Sequence, residues 1–340
     1  MSSEKPRISQ RLFYREAIVR ALREKMTDDK RVFVLGQDVG AFGGAYREFD
    51  GLFAEFGPVR VRDTPVAEAA MIGIGVGAAA AGLRPVVSIT YMDFLMLGLD
   101  PLVNYGAKLS YKTGGQLHAP VVIKTTAGAK GQGVAHSQCI EAWLMGVPGL
   151  KLVCPSNPED AYGLMMTALE EQGPVVFVDH KKLFPIPGDV PVAPYRTPLG
   201  VAKIIRAGSD ITIATHSYMT RIALQAAELL MRHDISCEII DLRSLIPLDA
   251  ELVTQSVART KSLLTLEEGQ VTCGVGAEVA ARVQQLLGPV RVHRVGALPV
   301  PISSNPVLEA ACIPSVHRLV DEVKFFMNIA RPERPDPVIT

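Results

Sequence analysis

The chain has 340 residues, and its 35 basic and 35 acidic side chains cancel to a formal net charge of zero. With a pI near 7.1 it carries neither the basic footprint of a nucleic-acid binder nor an electrostatic attraction to anionic membranes. The length fits two domains, and a hydrophobic share of 48% is enough to build a large core.

The first residues, "MSSEKPRISQRLFYREAIVRAL", hold no apolar segment, so no signal peptide is expected. "SQRLFYREAIVRALREKM" (9–26) has helical periodicity, and "RVFVLGQD" (31–38) reads as a strand. A glycine-rich loop, "VGAFGGAY" (39–46), follows. "VRDTPVAE" (61–68) then leads into "AAMIGIGVGAAAAGL" (69–83), a run without a single charge. A membrane span needs roughly 20 apolar residues. This run is shorter and rich in glycine, so it reads as a buried helix whose small residues allow close packing.

"PVVSITYMDF" (85–94) reads as a strand, "LGLDPLVNYGAKLSYK" (97–112) as a helix, and "APVVIKTTA" (119–127) as a strand entering the glycine-rich loop "GAKGQGVAHSQ" (128–138). "LKLVCPS" (150–156) and "GPVVFVDH" (173–180) are strands around the helix "NPEDAYGLMMTALEEQ" (157–172). That helix starts with Asn157 as N-cap and Pro158 at its first position. Uniformly apolar strands alternating with helices predict a parallel sheet covered on both faces.

Five prolines in "LFPIPGDVPVAPYRTPLG" (183–200) mark a linker, because proline-rich chain resists helix and central strand alike. A second alternation follows, with strands at 210–217, 236–245, 261–269 and 290–297 and helices at 219–233, 249–260 and 275–287. The fold class is therefore α/β, with two doubly wound domains. Their expected limits are 1–190 and 201–330, with a proline-rich linker at 191–200 and a tail at 331–340.

Several chemistries find no support. Gly73, Gly75 and Gly77 have the wrong spacing for a dinucleotide turn and lie inside the expected helix. There is no P-loop lysine motif and no GxSxG, so nothing points to acyl-serine chemistry. The five cysteines (139, 154, 237, 273, 312) form no CxxC pair. Their odd number argues against a disulfide framework or zinc ribbon and for a reducing compartment. Two features invite function. His136 sits in a glycine-rich loop, where a structural role competes with a catalytic one. Glu68 sits at a helix start, where the dipole favours an anion. Its apolar flanks would desolvate it, raise its pKa and let it share a proton with a base.

Ordered landmarks carry a family resemblance: "GQDVG" with "GG" (36–44), "RVRDTPVAE" (60–68), "GLRPV" (82–86), "DF" (93–94), "LDPLVN" with "AK" (99–108), "HSQ" (136–138), "PGLKLVCPSNPEDAYGL" (148–164), "DLRSLIPLD" (241–249) and "LPVPISSNPVLE" (298–309). From about Ile8 to Phe325 the chain resembles the β subunit of the thiamine-diphosphate-dependent 2-oxo acid dehydrogenase E1 component. That group comprises the pyruvate, branched-chain 2-oxo acid and acetoin dehydrogenases. The resemblance implies a pyrimidine-binding domain followed by a transketolase C-terminal-type domain. It also implies an oxidoreductase that cleaves a small 2-oxo acid or acetoin and passes the acyl group to the lipoyl domain of an E2 acyltransferase. The family's Mg²⁺-diphosphate motif, GDG, is absent here. The implied active unit is thus an α₂β₂ heterotetramer whose α subunit holds Mg²⁺. The implied compartment is a bacterial-type cytoplasm.

The same resemblance assigns residues. Glu68 would hold the cofactor's ring nitrogen N1′ and drive the imino tautomer that serves as internal base. Phe94 would lie against the aminopyrimidine, and His136 would face the substrate side. Backbone carbonyls of Val121, Ala168, Leu169, Glu171 and Gly173 would bind K⁺. Three positions depart from the family: Gln37 and Ser88 stand where it commonly has glutamates, and Ala135 where it commonly has Gln or Glu. Because Gln37 cannot ionise, an acid chain between two active sites through this position is in doubt. Two other readings remain. One is a split transketolase-like subunit that moves ketol units. The other is a non-catalytic binding subunit.

Overall fold

The computed structural model describes residues 8–328, so the expected tail at 331–340 lies outside the described residues. The first half runs β1 (Ser9–Phe13), α1 (Tyr14–Asp28), β2 (Val32–Gly36), α2 (Leu52–Arg60), β3 (Val61–Asp63), α3 (Glu68–Ala80) and β4 (Arg84–Ile89). Two irregular helical turns, Met92–Gly98 and Asp100–Gly106, precede α4 (Leu109–Lys112), β5 (Val122–Ala127), α5 (Glu141–Met145), β6 (Lys151–Val153), α6 (Pro158–Ala168), β7 (Val175–His180) and β8 (Pro187–Pro191). The second half contains β9 (Lys203–Arg206), β10 (Ile211–Thr215), α7 (Met219–Met231), β11 (Cys237–Asp241), β12 (Ser244–Ile246) and α8 (Ala250–Thr260). It closes with β13 (Ser262–Gln270), α9 (Val275–Leu287), β14 (Arg291–Ala297), α10 (Pro306–Cys312) and α11 (Val316–Phe326).

Two sheets carry the fold. The larger has seven strands in the order β12-β6-β7-β5-β4-β2-β3, and the smaller has five in the order β14-β13-β10-β11-β9. The expected parallel pairing holds throughout except at one edge of each, where β12 and β9 run antiparallel. β2 and β5 are buried at every position, which is why their sequences lack the alternation of a half-exposed strand. β12 comes from the second half of the chain yet completes the first sheet by pairing with β6. One apolar core accordingly runs across both sheets, joining Ile72, Val87 and Ile123 to Val253, Leu263 and Val283.

The N-terminus differs from the helix expected at 9–26. Residues 9–13 pair antiparallel with β8, and α1 begins only at Tyr14. The Phe13 amide donates to Glu16 Oε2 at 2.9 Å, which caps the helix and fixes the change of direction. Proline is tolerated in β8 because this two-stranded ribbon leaves its other edges unpaired. After β8 the chain is tied to α6. Tyr195 Oη donates to the Glu159 carbonyl at 2.6 Å, and the Thr197 amide to the Gly163 carbonyl at 3.1 Å.

The expected strand 85–94 ends at Ile89, and the expected helix 97–112 is broken into turns. Ala107 donates to the Leu102 carbonyl, five residues back, so the second turn is wider than an α-helix. Packing against α3 explains these turns. A Cβ on Gly98 would lie 2.3 Å from Ile72 Cδ1, and one on Gly106 3.2 Å from Val76 Cγ2. α3 also reaches β4 through Gly75, whose Cβ would meet Val87 Cγ2 at 2.4 Å. The small residues of the uncharged run thus serve close packing, but on one face only. Ala69, Ala70, Ile74 and Gly77 remain exposed in the single chain. No helix among the described residues is long and apolar enough to cross a membrane.

Candidate functional site

The strands β3, β2, β4, β5 and β7 are mutually parallel, so their C-terminal ends open on one edge of the large sheet. Ligands of open α/β sheets bind outside that edge. Gln37 follows β2, Glu68 follows β3, Phe94 follows β4, His136 follows β5 and Lys181 follows β7. The three residues expected to carry chemistry, Glu68, Phe94 and His136, therefore emerge from the same edge.

Glu68 opens α3 and is half-buried. Its carboxylate makes no hydrogen bond or ion pair among the described residues. The expected desolvation is only partial, because Ala69 and Ala70 beside it face solvent. The turn that carries Phe94 packs directly on this helix start: a Cβ on Gly98 would lie 3.3 Å from the Glu68 carbonyl oxygen. Phe94 and His136 meet edge to face, with ring centroids 5.3 Å apart at 84°. Tyr91 packs on His136 in the same manner at 4.6 Å. These rings form an aromatic cluster at the sheet edge, and Tyr46 joins it edge to face on Tyr91 at 6.4 Å.

The His136 loop is held from both domains. Lys181 Nζ donates to the Gly128 carbonyl at 2.8 Å and to the His136 carbonyl, and it lies 5.1 Å from the Tyr91 ring centroid. Burial lowers the Lys181 pKa, and the nearby Asp93 carboxylate opposes that shift. From the second domain, Glu268 Oε1 accepts the Ala129 amide at 2.7 Å while its Oε2 meets His180 Nε2 at 2.9 Å. Glu309 accepts the Gly131 amide. Gly128 must be glycine, since it sits at φ 94° and a Cβ there would collide with His180 Nε2 at 1.9 Å.

Sequence reasoning missed these holding residues. The available signal was charge at the end of an apolar strand: "VDHKK" after β7 and "TLEEG" in β13. It also missed Lys124, which lies inside a fully buried strand. Lys124 Nζ pairs with Asp179 Oδ2 at 2.6 Å and Glu48 Oε1 at 3.5 Å, and Tyr14 donates to Asp179 Oδ1 at 3.1 Å. Two of the three positions expected to depart from the family, Gln37 and Ser88, lie near here. Gly36 pairs with Ser88 in register, and Gln37 follows Gly36. Neither Gln37 nor Ser88 ionises near neutral pH, so these two positions supply no acid.

The residues expected to offer carbonyls to K⁺ lie near the end of α6 and the start of β5, where several of those carbonyls already accept protons. Arg84 Nη1 donates to the Leu169 and Glu171 carbonyls, each at 3.0 Å. The Val121 carbonyl accepts the Val175 amide at 2.9 Å, and the Ala168 carbonyl accepts the Glu171 amide at 3.4 Å. Each carbonyl oxygen has two lone pairs, so a cation here would share them with a guanidinium. Gly173 sits in the same turn, 3.6 Å from the Gly149 carbonyl oxygen when given a Cβ.

Comparison with known proteins adds to this geometry. The transketolase pyrimidine-binding domain family matches residues 10–187, and the transketolase C-terminal domain family matches residues 200–319. The β-1 subunit of the mitochondrial pyruvate dehydrogenase E1 component of Oryza sativa subsp. japonica is 42% identical, covering 91% of this chain and 85% of its own length. The corresponding β subunit of Rickettsia conorii is 41% identical over 91% of this chain and 96% of its own. That of Ascaris suum is 39% identical over 93% and 90%. A solved structure of a "split gene transketolase, inactive beta4 tetramer" superposes with a TM-score of 0.77 at 25% identity, covering 96% of this chain and 100% of that one.

Proposed function

The chain belongs to the family of pyruvate dehydrogenase E1 β subunits, and from that premise we propose that it is the β subunit of a thiamine-diphosphate-dependent 2-oxo acid or acetoin dehydrogenase. The observation that carries this reading is the Glu68 carboxylate, left without a partner at the strand-end edge from which Phe94 and His136 also emerge. An open carboxylate and a half-exposed aromatic ring at one sheet edge are what an aminopyrimidine needs: one anionic acceptor at a ring nitrogen and one flat apolar face. The residues present fit that half of the cofactor. The chain has no GDG motif for the other half.

When bound, thiamine diphosphate supplies the carbon nucleophile and the electron sink for breaking a bond next to a ketone. Glu68 would hold the aminopyrimidine through a hydrogen bond, which would strengthen as the surrounding site loses water. Phe94 fixes the plane of the aminopyrimidine. His136, oriented by the packing of Tyr91 and Phe94 and by the Lys181 bond to its carbonyl, handles a proton on the substrate side. A separate α subunit supplies Mg²⁺ and the diphosphate site, giving an α₂β₂ assembly that hands the acyl group to a lipoyl-bearing E2. The exposed apolar face of α3, with Ile74 at 57% exposure, suits a protein partner of that kind. K⁺ at the α6 turn and a bacterial-type cytoplasmic setting complete the reading; the five free cysteines accord with a reducing compartment.

The test is a lipoamide-linked assay of the chain co-expressed with its α subunit, supplied in turn with pyruvate, branched-chain 2-oxo acids and acetoin. Acyl-lipoamide formation from one of them, dependent on added thiamine diphosphate, is expected. Ketol transfer between sugar phosphates without lipoamide turnover would replace this reading with the split transketolase one. Cofactor-dependent turnover that does not need Glu68 would sink the site assignment.

A further inference from the structure

Behind the cleft, where the two domains meet, three side chains with metal-ligating atoms come together from different elements. Glu141 opens α5, Cys154 follows β6, and His216 follows β10 of the other sheet. A carboxylate oxygen, the Cys154 sulfur and an imidazole nitrogen all lie within 4.8 Å of one another. The residues are 4%, 0% and 5% exposed, respectively. His216 Nδ1 is buried with no hydrogen-bond partner. A cavity of about 10 Å³ adjoins Glu141 and His216, lined also by Cys139, His180, Ser217 and Glu268.

We propose that Glu141, Cys154 and His216 form a divalent transition-metal site, suited best to Zn²⁺, that ties the two domains together. Thiolate, imidazole and carboxylate are all Zn²⁺ ligands, and a mixed S, N, O set selects against Ca²⁺ and Mg²⁺. With bonds of about 2.0–2.3 Å, a tetrahedral ion brings its ligand atoms to within about 4 Å of one another. The trio therefore needs only a small inward movement. One thiolate and one carboxylate neutralise a divalent cation, so the filled site adds no net charge to the core. The cavity has room for about one water, which would take the fourth position. It is far too small for a substrate, so the site is structural rather than catalytic.

Burial keeps the empty trio uncharged. Burial pushes the Glu141 carboxyl up to about 8, and the Glu267 and Glu268 charges add to that push. Burial raises the Cys154 thiol well above its usual value, reinforced by Glu141, Asp241 and Asp179. Burial pushes His216 down to about 4. At neutral pH burial thus keeps the empty trio mostly protonated at oxygen and sulfur and neutral at nitrogen. A divalent ion replaces the two protons, which leave to solvent as it binds.

The test uses the full-length chain, first depleted with chelator, then equilibrated with Zn²⁺ or Co²⁺ and dialysed. Elemental analysis should return about one Zn²⁺ per chain. The Co²⁺ form should show a near-ultraviolet thiolate-to-metal charge-transfer band and tetrahedral d–d absorption. Cys154→Ser and His216→Gln should each cut retained metal at least tenfold, whereas Cys273→Ser, at an exposed cysteine, should not change it. If a variant fails to fold, the wild-type Co²⁺ spectrum still decides the question. Wild-type chain that retains no metal, or a Co²⁺ spectrum without a thiolate band, would overturn the proposal and leave a neutral buried trio.

Discussion

Two glutamates show how differently this chain treats the same side chain. Glu268 is 5% exposed, and both of its oxygens are engaged, one by His180 and one by the Ala129 amide. Burial alone would raise its pKa, but His180 and the Ala129 amide hold the carboxyl below the ordinary value. Glu68 is half-buried, opens a helix, and has no partner among the described residues. The first is saturated by its own fold. The second is left open at the sheet edge from which Phe94 and His136 also emerge. A buried charge must be paired or it destabilises the fold. An unpaired carboxylate can persist only where water or an outside group satisfies it. Under the proposed function, the contrast separates a residue that holds the fold from one kept for the cofactor.

The largest test of that contrast is Glu68→Ala. In the assembled enzyme it should lower turnover by about 10²–10⁴-fold, the range for a lost proton-handling group. Stability should move by no more than about 0.5 kcal/mol, as for a substitution that removes no internal contact. Steady-state kinetics and urea unfolding measured side by side decide this. A large stability loss with near-normal turnover would reverse the roles drawn above.

The next effect comes from carboxyls that burial has pushed the other way. Burial, with the Asp160 charge, raises Asp241 to about 7, and burial raises Glu267 to about 7 against the pull of the Gly276 and Val275 amides. Folded chain therefore keeps protons there that unfolded chain releases at ordinary carboxyl values. The stability from these groups is complete below about pH 4 and is lost as pH rises through about 7. Glu268 has the opposite sign: its contribution is present above the ordinary carboxyl pKa and fades as pH falls through its lowered value. Calorimetry of the metal-free chain should show Tm falling between pH 5.5 and 8, with a shallower fall in Glu267→Gln. A flat or rising profile over that window would refute the assignment.

A smaller effect is expected for Glu268→Gln. The amide oxygen can still accept from Ala129, but the charge facing His180 is gone. The cost should be about 1–3 kcal/mol. Turnover should fall less than in Glu68→Ala, because the His136 loop keeps Lys181 and Glu309 as anchors.

These pairings also mark the limit of what the sequence discloses. The α/β class was legible because fully buried strands such as "VFVLG" and "VIKTTA" have no polar alternation, and because Asn157-Pro158 announces a helix. The ribbon of β1 and β8 was not, because "SQRLF" runs into a helical pattern and its partner is studded with prolines. That Glu68, Phe94 and His136 emerge at one sheet edge follows from their places after β3, β4 and β5 in the strand alternation. His180 and Glu268 were not legible, because they stand 88 positions apart and meet only when the domains close on each other. Lys124 was hidden in the same way, as a charge inside an apolar strand whose partners come from a loop and another strand.

The smallest effect is expected at the α6 turn, where the comparison between filled and open groups can be sharpened furthest. If carbonyls there bind K⁺, two of them, Leu169 and Glu171, already accept from the Arg84 guanidinium, itself only 4.0 Å from Asp29. A fixed positive charge thus serves the turn before any ion arrives, so the ion has less left to neutralise. Replacing K⁺ by Na⁺ or tetramethylammonium should shift Tm by less than about 1 °C, under about 1 kcal/mol for a chain of this size. In Arg84→Met that internal cation is gone and the same carbonyls are freed. The K⁺-dependent part of Tm should then grow, although the variant is less stable overall. Equal salt responses in wild type and Arg84→Met would show that K⁺ and Arg84 do not share these oxygens.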